Sequence, residues 1–163
     1  MQLLRKILWP VSLLYGAGVY FRNWLYDAGL KKSQKFSTPT ICVGNLSLGG
    51  TGKTPMIEWL CRELEDFSRK AVLSRGYGRK SEGYVLADQY SDSADIGDEP
   101  LQIYSKFPSI TLAVDGNRRR GISNLEKDIQ PDLILLDDAF QHRRVLPSYS
   151  ILLTAYGQLY SDD

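Results

Sequence analysis

Residues 47 to 54 read Ser-Leu-Gly-Gly-Thr-Gly-Lys-Thr, directly after the apolar run Thr40-Ile41-Cys42-Val43. Gly49, Gly50 and Gly52 free the backbone to curl so that its N–H groups converge on an anion. Lys53 adds a point charge suited to the β- and γ-phosphates of a nucleotide, and Thr54 offers a hydroxyl to Mg²⁺. The spacing matches the phosphate-binding pattern G-x-x-x-x-G-K-[ST] except at its first position, where Ser47 replaces Gly. Serine can still make the turn and donate to a phosphate. Ser47, Leu48, Gly49, Gly50, Thr51, Gly52, Lys53 and Thr54 are therefore the candidate nucleotide-binding residues. The competing reading is a glycine-rich turn that binds nothing. It is disfavoured because strand, loop, Lys-Thr and helix follow one another in the required order.

A phosphate loop needs a carboxylate partner for the metal. Leu133-Ile134-Leu135-Leu136-Asp137 is an apolar strand ending in Asp, and Asp138 follows at once. Strand neighbours point to opposite faces, so both carboxylates reach one site only if the strand ends between them. Asp137 is the candidate for Mg²⁺ and Asp138 for a supporting role; the order could be reversed. Asp98 is read as a helix N-cap, or as a base placed to take a proton from an attacking hydroxyl. His142 is the only histidine, and structural and substrate-binding readings stand equally beside it. Arg75, Arg79, Arg118, Arg119 and Arg120 are solvated surface by default, although the run from Arg118 to Arg120 sits after a strand, where open sheets bind ligands.

These residues must be held by a scaffold, and the pattern of apolar runs supplies one. Strands are predicted at 40–43, 70–74, 110–114, 132–137 and 150–154. Helices are predicted at about 11–30, 55–67, from Asp98 onward, and 116–127. Arg75-Gly76-Tyr77-Gly78-Arg79 is a loop, and 81–95 is a polar excursion with one apolar piece, Tyr84 to Ala87. Alternating strands and helices imply an α/β fold with a parallel sheet and right-handed crossovers.

The 163 residues suffice for one such domain, and a net charge of +1 argues against a nucleic-acid partner. The charge is uneven. Residues 1–35 hold Arg5, Lys6, Arg22, Lys31, Lys32 and Lys35 against Asp27 alone, a local balance of +5 that leaves −4 for the remainder. Ile7 to Phe21 contains no charged residue but is shorter than the roughly 20 residues of a spanning helix. It resembles a signal peptide, yet no small-residue cleavage site follows. Two readings stay open: a helix in the membrane interface, with aromatics at headgroup depth and flanking Lys/Arg on anionic lipid, or a helix packed on the domain core. Cys42 and Cys61 form no metal pattern and read as buried thiols of a reducing compartment.

Four motifs occur in order: Val43-Gly44-Asn45-Leu46-Ser47-Leu48-Gly49-Gly50-Thr51-Gly52-Lys53-Thr54-Pro55, Ser74-Arg75-Gly76-Tyr77-Gly78, Gly97-Asp98-Glu99-Pro100, and Leu136-Asp137-Asp138-Ala139-Phe140-Gln141-His142-Arg143. With them the chain resembles the tetraacyldisaccharide 4′-kinase family of lipid A biosynthesis. The resemblance implies a P-loop NTPase-like core lobe at 36–163 and a membrane-interfacial helix at 1–35. It implies a bacterial enzyme on the cytoplasmic face of the inner membrane, touching it through residues 1–30. That enzyme would use ATP and Mg²⁺ to phosphorylate the 4′-hydroxyl of a tetraacylated disaccharide 1-phosphate, giving lipid IV-A. Asp98 would act as the base, Lys53 and Asp138 as catalytic partners, and Thr54 and Asp137 as metal ligands. Tyr77, Arg75, Arg118 and His142 would meet the lipid substrate.

Two departures stand out. Ala139 replaces the family's usual Gly, and the family's chains continue into a second lobe that holds the base's histidine partner. His142 does not match that histidine. The sequence reads as an N-terminal portion that keeps the phosphate loop and has little kinase activity alone. Rival classes are a membrane-associated switch-type ATPase, against which Leu48 argues because such proteins place Lys there, and a non-catalytic nucleotide-binding module.

Overall fold

The computed structural model describes residues 16–45, 51–64 and 66–154. It divides into two units between Ser33 and Gln34. In the first, helix α1 covers residues 16–27 and ends in a turn where Gly29 takes a φ of 71°. Tyr20, Phe21 and Trp24 are exposed, and the Phe21 and Trp24 rings stack at 5.9 Å between centroids. Residues 11–15 of the predicted helix lie outside the described residues. Among the described residues no helix is long and apolar enough to cross a membrane.

The second unit is a six-stranded sheet with helices on both faces. In chain order it comprises β1 (Thr40–Asn45), α2 (Lys53–Glu63), β2 (Lys70–Ser74), β3 (Val85–Leu86), α3 (Ser93–Ile96), α4 (Asp98–Lys106), β4 (Thr111–Val114), α5 (Arg118–Asp128), β5 (Leu133–Asp137) and β6 (Tyr149–Leu153). The spatial order is β3-β4-β2-β5-β1-β6. Five strands run parallel, as the sequence predicts, whereas β3 pairs antiparallel with β4 and makes the sheet mixed. β3 is the apolar piece of the polar excursion, too short for periodicity to reveal. The excursion also contains α3, started by a reciprocal capping box between Asp92 and Asp95. The helix after the loop begins at Lys53, two residues earlier than predicted, and ends at Glu63 rather than near Phe67.

Strand alternation sorts the core into two layers. Val43, Val72, Leu112, Val114, Leu133 and Leu135 face α2 and α4, where Ile57, Leu60, Cys61 and Ile103 meet them. Cys42, Ala71, Leu73, Ala113, Ile134 and Leu136 face α5, whose Ile122 and Leu125 close that side. Such buried aliphatic side chains each contribute about 1.5–3 kcal/mol on transfer from water. Both cysteines are free and buried, and burial pushes each thiol up to about 11. After β5 the chain folds back along β1 so tightly that a Cβ on Gly44 would lie 2.5 Å from the Phe140 Cβ.

Candidate functional site

The same alternation aims the polar strand ends. Asn45 follows Val43, Ser74 follows Val72 and Asp137 follows Leu135, each two residues on. All three therefore point to the α2/α4 side, at the carboxyl ends of the neighbouring strands β1, β2 and β5. Open parallel sheets bind ligands at this edge.

Lys53 is the first residue of α2 and follows Gly52, whose φ of 85° only glycine adopts without strain. Its Nζ donates to Asn45 Oδ1 at 3.1 Å and lies 3.4 Å from Asp138 Oδ1, while Asn45 Nδ2 donates to Thr51 Oγ1 at 2.8 Å. Among the described residues no side chain caps α2 and no acid sits in its first turn, so its positive end suits an anion. Thr54 is its second residue, half-buried. Ser47, Leu48, Gly49 and Gly50 lie outside the described residues.

β5 ends at Asp137, and Asp138 turns the chain with a φ of 48°, a left-handed conformation aspartate tolerates better than most residues. Ala139 is outside that region. Asp137 is 2% exposed; its Oδ2 accepts from the Ser74 hydroxyl at 2.8 Å, and its Oδ1 has no hydrogen-bond partner among the described residues. Burial raises its carboxyl above the ordinary value, only partly offset by the Ser74 bond.

Lys53, Ser74, Arg75, Tyr77, Asp98, Glu99, Pro100, Asp137 and Asp138 line one cleft of about 260 Å³. Six sequence-predicted site residues thus meet there: Lys53, Arg75, Tyr77, Asp98, Asp137 and Asp138. The N-cap reading of Asp98 is corrected: Gly97 holds the cap position, no side chain caps α4, and Asp98 opens the helix with its carboxylate on the cleft. A Cβ on Gly97 would stand 2.8 Å from the Tyr77 carbonyl oxygen, so the Arg75–Gly78 loop and the start of α4 are packed backbone to backbone. Ser74, Glu99 and Asn45 were not named as site residues from the sequence, although all three lie within the quoted motifs.

Arg118 is a second correction. It is 2% exposed rather than solvated, and donates to the carbonyls of Asp115 at 2.5 Å and Asp137 at 2.8 Å. Burial lowers its guanidinium to about 10. It supports the site from within the fold and is not among the described residues that line the cleft. His142 is half-buried in the turn after β5, its N–H donating to the Ala139 carbonyl at 2.9 Å, and is not among the lining residues.

Among the described residues of the lining, four acidic residues accompany two basic ones, Lys53 and Arg75. A polyphosphate entering such a cleft needs added positive charge. No cluster of three or more His, Cys, Asp or Glu side chains able to hold a metal occurs among the described residues. Mg²⁺ suits this arrangement, since it binds through one or two carboxylates plus substrate phosphates and water. The partnerless Asp137 Oδ1 is a donor atom available for it.

A Gly-Lys-Thr turn between strand and helix, beside a parallel neighbour ending in paired aspartates, defines a phosphate-loop nucleotide-binding α/β domain. The chain belongs to the tetraacyldisaccharide-1-P 4′-kinase (LpxK) family, whose model matches residues 4–161. It is 56% identical over 164 residues to the tetraacyldisaccharide 4′-kinase of Flavobacterium johnsoniae, covering 100% of this chain and 48% of that protein. It is 55% identical to the one from Parabacteroides distasonis, covering 97% and 44%. The crystal structure of LpxK from Aquifex aeolicus in complex with ATP superposes with a TM-score of 0.83 at 38% identity, covering 91% of this chain and 48% of that one. The chain thus spans about half the length of the relatives it matches.

Proposed function

We propose that this chain is the nucleotide-binding half of a kinase that transfers the γ-phosphoryl of ATP to the 4′-hydroxyl of tetraacyldisaccharide 1-phosphate, giving lipid IV-A. The observation that carries the reading is the convergence of Lys53, Asp98, Asp137 and Asp138 on one cleft at the open end of α2.

Lys53 and the N–H groups at the start of α2 bind the phosphates. Before nucleotide arrives, Asp138 and Asn45 hold the lysine extended. Thr54 and Asp137 would hold Mg²⁺, which when bound neutralises phosphate charge. Asp98 takes the proton of the 4′-hydroxyl as its oxygen bonds to the γ-phosphorus, the bond to the β-bridging oxygen breaks and ADP leaves. Arg75 and the exposed Tyr77 stand at the mouth of the cleft for the sugar. The exposed aromatics of α1 would lie in the interface of the inner membrane, on its cytoplasmic face, so that the acyl chains remain in lipid. Catalysis requires the portion by which the relatives exceed this chain.

The test is transfer of radiolabel from ATP to the disaccharide lipid. Three proteins are compared: this chain, a chimera joining it to the remaining half of its Flavobacterium johnsoniae relative, and that chimera with Asp98→Asn. The chimera should label lipid, and the variant should lose about 100-fold or more in rate while binding nucleotide normally. This chain alone should bind nucleotide and label little. A chimera that hydrolyses ATP without labelling lipid would refute the kinase reading, and full rate in Asp98→Asn would refute the base.

A further inference from the structure

On the other face of the sheet, away from the reaction cleft, lies a concavity of about 410 Å³ lined by Gln34, Asn117, Arg119, Arg120, Ser123 and Arg144. None of these residues lines the cleft. Three guanidiniums surround one space, and no carboxylate is among the described residues of the lining. Asp115, fully buried beside it, neutralises Arg120 alone, through bonds of 2.8 and 2.9 Å. The Arg119 Nε donates to Gln34 Oε1 at 2.7 Å, which fixes the guanidinium and leaves its two terminal amino groups. The Arg144 side chain has no hydrogen bond or ion pair with any described residue, while its carbonyl, accepting from the Gln34 N–H at 2.8 Å, fixes its backbone. The pocket therefore keeps about two uncompensated positive charges, one on the fixed Arg119 side chain and one on the exposed Arg144 side chain, with Ser123 offering a hydroxyl. The Asn117 side chain caps α5 by accepting from the Arg120 N–H, and no acid sits in its first turn.

We infer that this pocket is a binding site for a phosphate group, carried on a lipid headgroup or free in solution. Planar guanidiniums pair with phosphate oxygens in two-point geometry, and two of them match the charge of a phosphate monoester. The site is independent of the nucleotide cradle: it sits on the α5 face and uses none of the same residues.

The Nε–H signals of isotopically labelled arginine are followed by NMR in two titrations of the whole chain at constant ionic strength. One uses inorganic phosphate, the other vesicles of phosphatidic acid in phosphatidylcholine against phosphatidylcholine alone. Saturable shifts of Arg119 and Arg144 in the phosphate titration assign the free anion; shifts or broadening confined to the acidic vesicles assign the headgroup. The Arg119→Gln/Arg144→Gln double variant should weaken the responding titration about tenfold or more, whereas Lys53→Ala should leave it intact. The variant also retains the Arg120–Asp115 pair, whose signal reports that the fold is preserved. No saturable response in either titration, or a response abolished by Lys53→Ala and untouched in the double variant, overturns the assignment.

Discussion

Arg118 holds the main-chain carbonyl of Asp137 at 2.8 Å and with its other amino group the carbonyl of Asp115. One buried side chain thereby ties the ends of β5 and β4 together beneath the reaction cleft. Replacement by Met keeps the aliphatic volume but strands two carbonyls. We expect Arg118→Met to cost about 2–4 kcal/mol in urea unfolding, and to weaken Mg²⁺-nucleotide binding as Asp137 loses its support. Unchanged stability would mean that water replaces the guanidinium without loss.

Asp137 sits where burial disfavours its charged form. Asp137→Asn should leave the ligand-free protein equally or more stable, because the raised carboxyl no longer has to ionise. Calorimetry should at the same time show Mg²⁺-dependent nucleotide affinity falling at least about tenfold. A variant that loses stability and keeps its affinity would assign the residue to structure.

Gly97 permits backbone contact between two segments that line the cleft. Its φ of 92° and the 2.8 Å approach of the Tyr77 carbonyl leave no room for a methyl group. Gly97→Ala should cost about 2 kcal/mol or more, whereas Gly52→Ala, with a φ of 85° and no described residue within 4 Å of an added Cβ, should carry mainly the conformational strain, about 1–2 kcal/mol. Thermal melts of the two variants separate collision from strain.

Asp115 supplies a pH signature. Burial by itself would raise its carboxyl, but the Arg120 side chain and the Asn117 N–H outweigh it and hold the folded value below the ordinary one. The unfolded chain therefore binds the proton first as acid is added. The stabilisation is complete above the unfolded value and disappears as pH falls through the depressed folded one. Arg120→Met should lower stability at neutral pH and flatten the acid limb of a urea-midpoint profile.

Much of the scaffold was legible because buried parallel strands are continuous apolar runs, and 70–74 and 132–137 could hardly be anything else. The nucleotide motif was legible because its chemistry fixes residue types at fixed spacing. β3 was hidden because two residues carry no period. Arg118 was misread by residue type: beside Arg119 and Arg120 it looked like surface. Its position tells otherwise, for 118, 121, 122 and 125 form the buried stripe of α5. Read as a stripe, the first arginine belongs inside. Glu99 shared a motif with Asp98 but was passed over because two adjacent acids at a helix start satisfy its dipole without further purpose.

Val43 and Asp137 are register partners on adjacent strands. The stem of the phosphate loop and the stem of the carboxylate proposed for the metal are thus bolted to one rigid plate by a ladder of backbone hydrogen bonds. Bending that plate carries both stems along as a set, so their spacing is guarded by the most deeply sunk part of the molecule. Wear on the outer loops then alters what enters the cleft before it alters the distance across which a phosphoryl group must be held.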